Sequence, residues 1–247
     1  KSTLIDALAA SWAGTGHRVG VLAIDPASPF SGGAVLGDRM RMRRCEDLDQ
    51  VFVRSMSARG YSGGLNEAAF DLCAVMAGHG ITRLLLETVG VGQNEVEVAF
   101  VADCTVVLAV PGLGDSVQAS KAGLTEVGDI YVVNKGDRPG ADLVARDLTS
   151  MLALVFPGGP GRNEGEHQQA PAWVTGPTRQ LLLERYGYAA EPGGAWHPPV
   201  LTTSAADGSG VDALVETIER CSQWLSQSRQ KTVRRRAQAQ AHLIAIL

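Results

Sequence analysis

Six short apolar runs recur along the chain, at Val19–Ile24, Val51–Ser55, Thr82–Glu87, Cys104–Val110, Ile130–Val133 and Val200–Thr203. Most are β-branched and lack the in–out alternation of a half-exposed strand, so each reads as a strand buried on both faces. Helical patterns lie between and around them, at Thr3–Trp12, Asn66–Ala77, Glu95–Val101, Gln118–Thr125, Asp142–Leu154 and Val211–Trp224. Parallel strands need crossover connections, and crossover helices cover the faces of the sheet they connect. The expected fold class is therefore α/β, a mainly parallel, doubly wound sheet flanked by helices. Ligands of such sheets bind beyond the carboxyl ends of the strands, so the chemistry is expected in the loops that follow each run.

Two stretches depart from this rhythm. Pro157–Pro199 is rich in Gly, Pro and polar residues, with one helical piece at Thr178–Tyr186, and reads as a surface excursion. From Gln227 the chain carries a basic cluster, Arg234–Arg236, and then "AQAQAHLIAIL", a helical C-terminal tail. The expected organisation is one domain over residues 1–226 and a helical arm over 227–247. With 247 residues, 45% of them hydrophobic, the chain has enough material for a large core. A net charge of −4 gives no argument for nucleic acid as a partner. The apolar runs are too short to span a bilayer, so no membrane is expected either. Four cysteines without a C-x-x-C pair read as reduced core thiols of a cytoplasmic compartment, and the scattered histidines show no metal-ligand spacing.

The strand-end loops carry the functional signal. "KSTLIDALAASW" opens the chain, and Lys1-Ser2-Thr3 match the end of the phosphate-binding motif G-x-x-x-x-G-K-[ST]. In that motif the lysine reaches the β- and γ-phosphates, the hydroxyl binds Mg²⁺, and the following helix aims its positive end at the anion. A capping serine beside an exposed lysine is the plainer reading of three residues. "NKGD", Asn134 to Asp137, follows the strand "IYVV". Asp137 there could accept from guanine N1–H and the exocyclic amine, Lys135 could lie along the base, and Asn134 could tie loops together. Adenine presents the opposite donor–acceptor pattern. Ser204-Ala205 in "LTTSAADGSG" follow the last strand, where a backbone N–H suits the base oxygen. In "LLLETVGVGQNE", Glu87 ends a strand and Gly90 follows three residues on, with Gln93 beyond. An acidic residue there suits Mg²⁺, and the glycine leaves a backbone N–H room beside the γ-phosphate. Asp25 at the end of its strand, and Asp38 after a Gly-rich loop, could face the same magnesium, with a helix N-cap as the other role for Asp38.

The runs "IDPASPFSGGAVLGDRMRM", "ETVGVGQNEVEVA", "VPGLGDSVQASKAG" and "VVNKGD" together resemble the MeaB/ArgK/MMAA family of P-loop GTPases. The likeness runs from Lys1 to about Asp147 and resumes at "HPPVLTTSA". It implies a P-loop NTPase fold and a GTPase using GTP/GDP and Mg²⁺. The family's members act as chaperones that gate cofactor loading and protection of an adenosylcobalamin-dependent acyl-CoA mutase of the methylmalonyl-CoA type. Carried across, Lys1, Glu87 and Gln93 are the catalytic positions, and Ser2, Asp25, Asp38 and Glu87 the magnesium-side positions. Lys1, Ser2, Thr3, Gly90, Asn134, Lys135, Asp137, Ser204 and Ala205 hold the nucleotide. Gly112–Lys121 matches a loop coupling nucleotide state to the mutase, with Asp115, Gln118 and Lys121 as polar contacts. The resemblance also implies a homodimer, in the cytoplasm or, in a eukaryote, the mitochondrial matrix. Here Glu87 stands where most P-loop GTPases carry Asp. The loop glycines are expected upstream of Lys1 in a longer protein, and restoring them is expected to tighten GTP binding. The competing readings are a metal-delivery GTPase, which would need a His-rich tract or a Cys/His cluster, a small-molecule kinase, for which "NKGD" would have no purpose, and a non-hydrolysing interaction domain.

The guanine reader gives a sharp test. Asp137→Asn is expected to exchange guanine for xanthine nucleotides, with discrimination of roughly 10⁴-fold or more from the buried bidentate contact. GTP, ATP and XTP affinities measure it, and equal binding of ATP and GTP by the unmutated protein would overturn the assignment.

Overall fold

The fold, taken from a computed structural model, is described for residues 1–25, 42–45, 47–57, 67–88, 101–112, 128–156, 195–228, 230–236 and 239. The elements in chain order are α1 (Ser2–Gly14), β1 (Val19–Asp25), β2 (Val51–Ser57), α2 (Glu67–Gly78), β3 (Arg83–Glu87), β4 (Val106–Ala109), β5 (Ile130–Asn134), α3 (Ala141–Val155), β6 (Val200–Thr203) and α4 (Val211–Gln227). Two compact units emerge. One is built on Lys1–Ala102 and Ser204–Val215, the other on Asp103–Thr203 and Glu216–Gln240.

In the first unit three strands pair in parallel in the order β2-β1-β3, with Val19 beside Val51 and Arg83. The central strand is apolar from Val19 to Ile24 because both its faces are covered, and Val19, Val21, Leu22 and Ala23 are fully buried. Helix α1 buries Leu4, Ala7, Leu8 and Trp12, each large side chain contributing about 1.5–3 kcal/mol relative to exposure. Gly20 lets α2 close on β1. A Cβ there would collide with the Met76 methyl and stand 3.0 Å from Leu84 Cδ1. A second cluster joins Leu22, Ile24 and Ala69 to Leu72, Cys73 and Leu86.

In the second unit β4-β5-β6 are also parallel, with Tyr131 beside Val107 and Val200. All five residues of β5 are buried. Helix α3 lays Ala141, Leu148 and Leu152 on Tyr131 and Val133, a spacing that keeps one face of the helix on the sheet. Strand β4 begins later than the expected Cys104. The Thr105 N–H donates to an Asp129 carboxylate oxygen at 2.8 Å instead of joining a ladder.

That same carboxylate anchors residues 230–236, which are helical. Arg234 donates Nη2 to Asp129 Oδ1 at 2.7 Å and Nη1 to Oδ2 at 3.0 Å, with Asp129 fully buried. Nη1 also donates to the Asp103 carbonyl at 2.5 Å. The Trp224 ring lies 5.9 Å from the guanidinium and 5.7 Å from the Trp196 ring, whose N–H donates to the Asp129 carbonyl at 2.8 Å. The sequence offered only a basic cluster at Arg234–Arg236, because the partner carboxylate lies 105 residues away. No described helix is long and apolar enough to cross a membrane.

Removing one partner of a buried ion pair strands the other. Arg234→Met is expected to destabilise the protein by about 3–5 kcal/mol, and adding Asp129→Leu is expected to recover part of that loss. Urea unfolding of the two variants measures both. A loss below about 1 kcal/mol for Arg234→Met would show that the pair is not the anchor of this unit.

Candidate functional site: a serine–glutamate pair and a guanine-type loop

In the first unit Lys1 caps α1, its carbonyl accepting from Leu4 N–H at 2.9 Å and Ile5 N–H at 3.1 Å. Lys1 and Thr3 are exposed, while Ser2 between them is buried. The Ser2 hydroxyl donates to Glu87 Oε1 at 2.9 Å, and Glu87, the last residue of β3, is buried too. The start of α1 and the end of β3 thus meet on a hydroxyl and a carboxylate, both hard oxygen donors. A serine that gives its proton to a carboxylate keeps its oxygen lone pairs for a cation, and this donor set suits Mg²⁺. Asp25 ends β1, two residues beyond Ala23, which pairs with Glu87 in the register.

A third acidic residue, Asp6 of α1, was not singled out in the sequence. It is 3% exposed. Its carboxylate accepts the backbone N–H of Arg44 at 3.2 Å and of Cys45 at 3.1 Å, pinning the chain to α1 just after the 26–41 segment. Its one visible signal was a lone carboxylate inside an apolar helical stretch. Burial, with the Asp6 carboxylate next in effect, pushes the Cys45 thiol up to about 12. Burial likewise lifts Cys73 to about 11. All four cysteines are free, in line with the reduced thiols expected.

In the second unit Asn134 ends β5. Its side-chain oxygen accepts from Lys135 N–H at 2.8 Å and from the Thr203 hydroxyl at 3.4 Å. Lys135 takes φ 62°, a left-handed backbone that non-glycine residues seldom adopt, so the local structure enforces it. The Gly136 N–H donates to the Thr203 carbonyl at 2.8 Å, and a Cβ at Gly136 would collide with the Thr202 methyl. The position that the motif leaves open is thus fixed as glycine by close approach to β6. Lys135 and Asp137 are exposed above these buried anchors.

Ser204 and Ala205, which follow β6, are buried. They open a tight turn in which Gly208 N–H donates to the Ser204 carbonyl and Ser204 N–H to Ser209, both at 2.9 Å. The Ser204 hydroxyl has no hydrogen-bond partner among the described residues. Of the remaining expected positions, the Asp25 side chain, Asp38, Gly90, Gln93, Asp115, Gln118 and Lys121 lie outside what the structure describes. Among the described residues no three His, Cys, Asp or Glu side chains converge as a metal cage.

The family profile described as methylmalonyl-CoA mutase-associated GTPase MeaB matches residues 1–247, the whole chain. The chain belongs to the MeaB family. A Pyrococcus horikoshii relative named as a GTPase is 39% identical over all of this chain and is itself covered to 68%. The mouse methylmalonic aciduria type A homolog, named as mitochondrial, is 32% identical over 88% of this chain and covered to 45%. The solved structure of an LAO/AO transport system kinase superposes with a TM-score of 0.63 at 25% identity, over 97% of this chain and 61% of its own. The MeaB-type resemblance and the P-loop GTPase fold expected from the sequence both stand, and the chain spans about two thirds of the length of the Pyrococcus relative.

The Cys45 thiol reports on the Asp6 clamp of this MeaB-family chain. A thiol raised to about 12 stays protonated, and therefore unreactive, until the pH approaches that value. Alkylation of Cys45 at pH 9 is expected to be on the order of 100-fold slower in the folded than in the urea-unfolded protein. Equal rates would show that the segment is not held against α1.

Proposed function

We propose that this chain binds and hydrolyses GTP and serves an adenosylcobalamin-dependent acyl-CoA mutase of the methylmalonyl-CoA type, gating its cofactor loading and protection. The observation that carries the nucleotide part is the buried hydrogen bond between Ser2 and Glu87. The mutase part rests on the description of the family and on the name of the mouse relative.

In this reading Lys1 places its ammonium against the β- and γ-phosphates, and Gly90 admits a backbone N–H to the γ-phosphate. Ser2 and Glu87, with Asp25 and Asp38, hold magnesium. When bound there, the ion neutralises charge on the β- and γ-phosphate oxygens. Asp137 reads the guanine N1–H and amine, Lys135 covers the base, and Ser204-Ala205 meet the base oxygen. Water adds to the γ-phosphorus as its bond to the β-phosphate oxygen breaks, giving GDP and phosphate, with Gln93 beside the water. A homodimer in the cytoplasm or mitochondrial matrix completes the proposal. A metal-delivery GTPase is less well supported, because the sequence carries neither a His-rich tract nor a Cys/His cluster for the cargo.

Turnover is expected to be slow in isolation, since Gln93 lies two residues beyond where many GTPases carry their water-orienting glutamine and a supplied catalytic group gives partner-activated GTPases about 10³–10⁵-fold. Fast turnover by the protein alone, abolished by Gln93→Ala, would contradict this. GTP affinity with and without the mutase, and mutase affinity with and without a GTP analogue, measure the coupling. It is expected at about 1–3 kcal/mol from both sides and to be weakened by Gln118→Ala or Lys121→Ala. No response on either side would remove that mutase from the assignment.

A further inference from the structure

Ser55 on β2 belongs to no motif that the sequence singled out. Its hydroxyl oxygen is buried and has no hydrogen-bond partner among the described residues. A hydroxyl in that position has given up water without replacing it, so by itself it stabilises the fold no better than an alanine would. Such a group calls for a partner that the described residues do not supply.

The register of the first unit says where this hydroxyl stands. Ala23 of β1 pairs with Ser55 on one side and with Glu87 on the other, so the three residues form one row across the parallel sheet. Partners in a row share a face, and successive residues of a strand alternate between faces. The adjoining residues Leu22, Ile24, Met56 and Leu86 pack with Ala69, Leu72 and Cys73 of α2. Ser55, Ala23 and Glu87 therefore lie on the opposite face, the one on which the Ser2 hydroxyl of α1 meets Glu87. The residue between Ser55 and Glu87 in this row carries no more than a methyl. Two strand spacings separate their backbones, on the order of 9–10 Å. Mg²⁺ binds its ligands at about 2.1 Å and keeps several of its waters. The spacing thus suits a hydrogen bond through a coordinated water better than a direct ligand.

We propose that Ser55 is a positioning residue for the magnesium side of the site, its hydroxyl holding a water of the ion's hydration shell on the face shared with Ser2 and Glu87. The proposal rests on the reading of that pair as the magnesium holder. It adds to the pair a residue two strands away and accounts for a hydroxyl that the fold buries without a described partner.

The test is the Mg²⁺ dependence of GDP and GTP affinity in the intact protein, beside thermal unfolding of the nucleotide-free form. Ser55→Ala is expected to cut the gain given by Mg²⁺ by about three- to tenfold, the effect of one hydrogen bond, with the loss confined to the ion-dependent part. Ser55→Thr, which keeps the hydroxyl, is expected to restore most of that gain. Should Ser55→Thr prove unstable, Ser55→Cys is close to serine in size but bonds weakly, and is expected to behave like Ser55→Ala. The Tm of nucleotide-free Ser55→Ala is expected to equal or exceed that of the unmutated protein, which a serine serving only the fold would not allow. A magnesium gain left intact by Ser55→Ala, or a lower Tm with equal losses of affinity with and without the ion, overturns the role of Ser55 alone. An unmutated protein whose nucleotide affinity does not respond to Mg²⁺ overturns the magnesium reading beneath it.

Discussion

The hydrogen bond from Ser2 to Glu87 joins the first turn of a helix to the last residue of a strand 85 positions away. Burying a carboxylate is costly unless its oxygens are matched, so this contact constrains both elements. It fixes where α1 starts relative to β3, and β3 can hold Glu87 there because it pairs in register with β1, which is buried from Val19 to Ile24. The apolar runs of the first unit thus have a chemical product, two hard oxygens held together at the carboxyl end of a parallel sheet. Asp6 extends the same logic one turn along α1, where its carboxylate collects two backbone N–H groups from the chain that returns after residue 41.

The second unit reaches a similar end with different means. Its Asn134–Asp137 loop exposes Lys135 and Asp137 above the hydrogen-bonded Asn134 and Gly136. The Asn134 side chain braces Lys135 in a left-handed conformation, and Gly136 lies against β6. At the other end of β5, Asp129 is held by Arg234, Thr105 and Trp196, and Trp224 lies against the Arg234 guanidinium. A strand pinned at both ends presents its loop with little freedom, and this is what a loop that discriminates bases by unpaired polar groups requires.

Much of this was legible in the sequence. The six strands were visible because strands buried on both faces must be apolar without alternation, and all six are present within a few residues of their expected bounds. Ser2, Glu87 and Asn134 were legible because motif spacing places them at strand and helix ends, where the structure finds them. What stayed hidden were contacts set by tertiary approach. Arg234 sits in a basic cluster, Arg234–Arg236, that does not name its partner. Gly136 looked like a free position because the motif records only the side chains that meet a ligand, not the methyl of Thr202 that forbids a Cβ. Asp6 was the exception with a trace, a charge that no amphipathic reading of α1 accounts for.

The central claim is that Ser2 and Glu87 act as one magnesium-holding unit. A double-mutant cycle on the Mg²⁺-dependent part of GTP affinity tests it most directly, with the unmutated protein, Ser2→Ala, Glu87→Gln and the double variant titrated with and without the ion. Each single substitution is expected to remove most of the gain that Mg²⁺ gives, and the double variant to lose little more, a coupling of at least about 1 kcal/mol. Additive losses, or a magnesium dependence untouched by either substitution, would contradict the account.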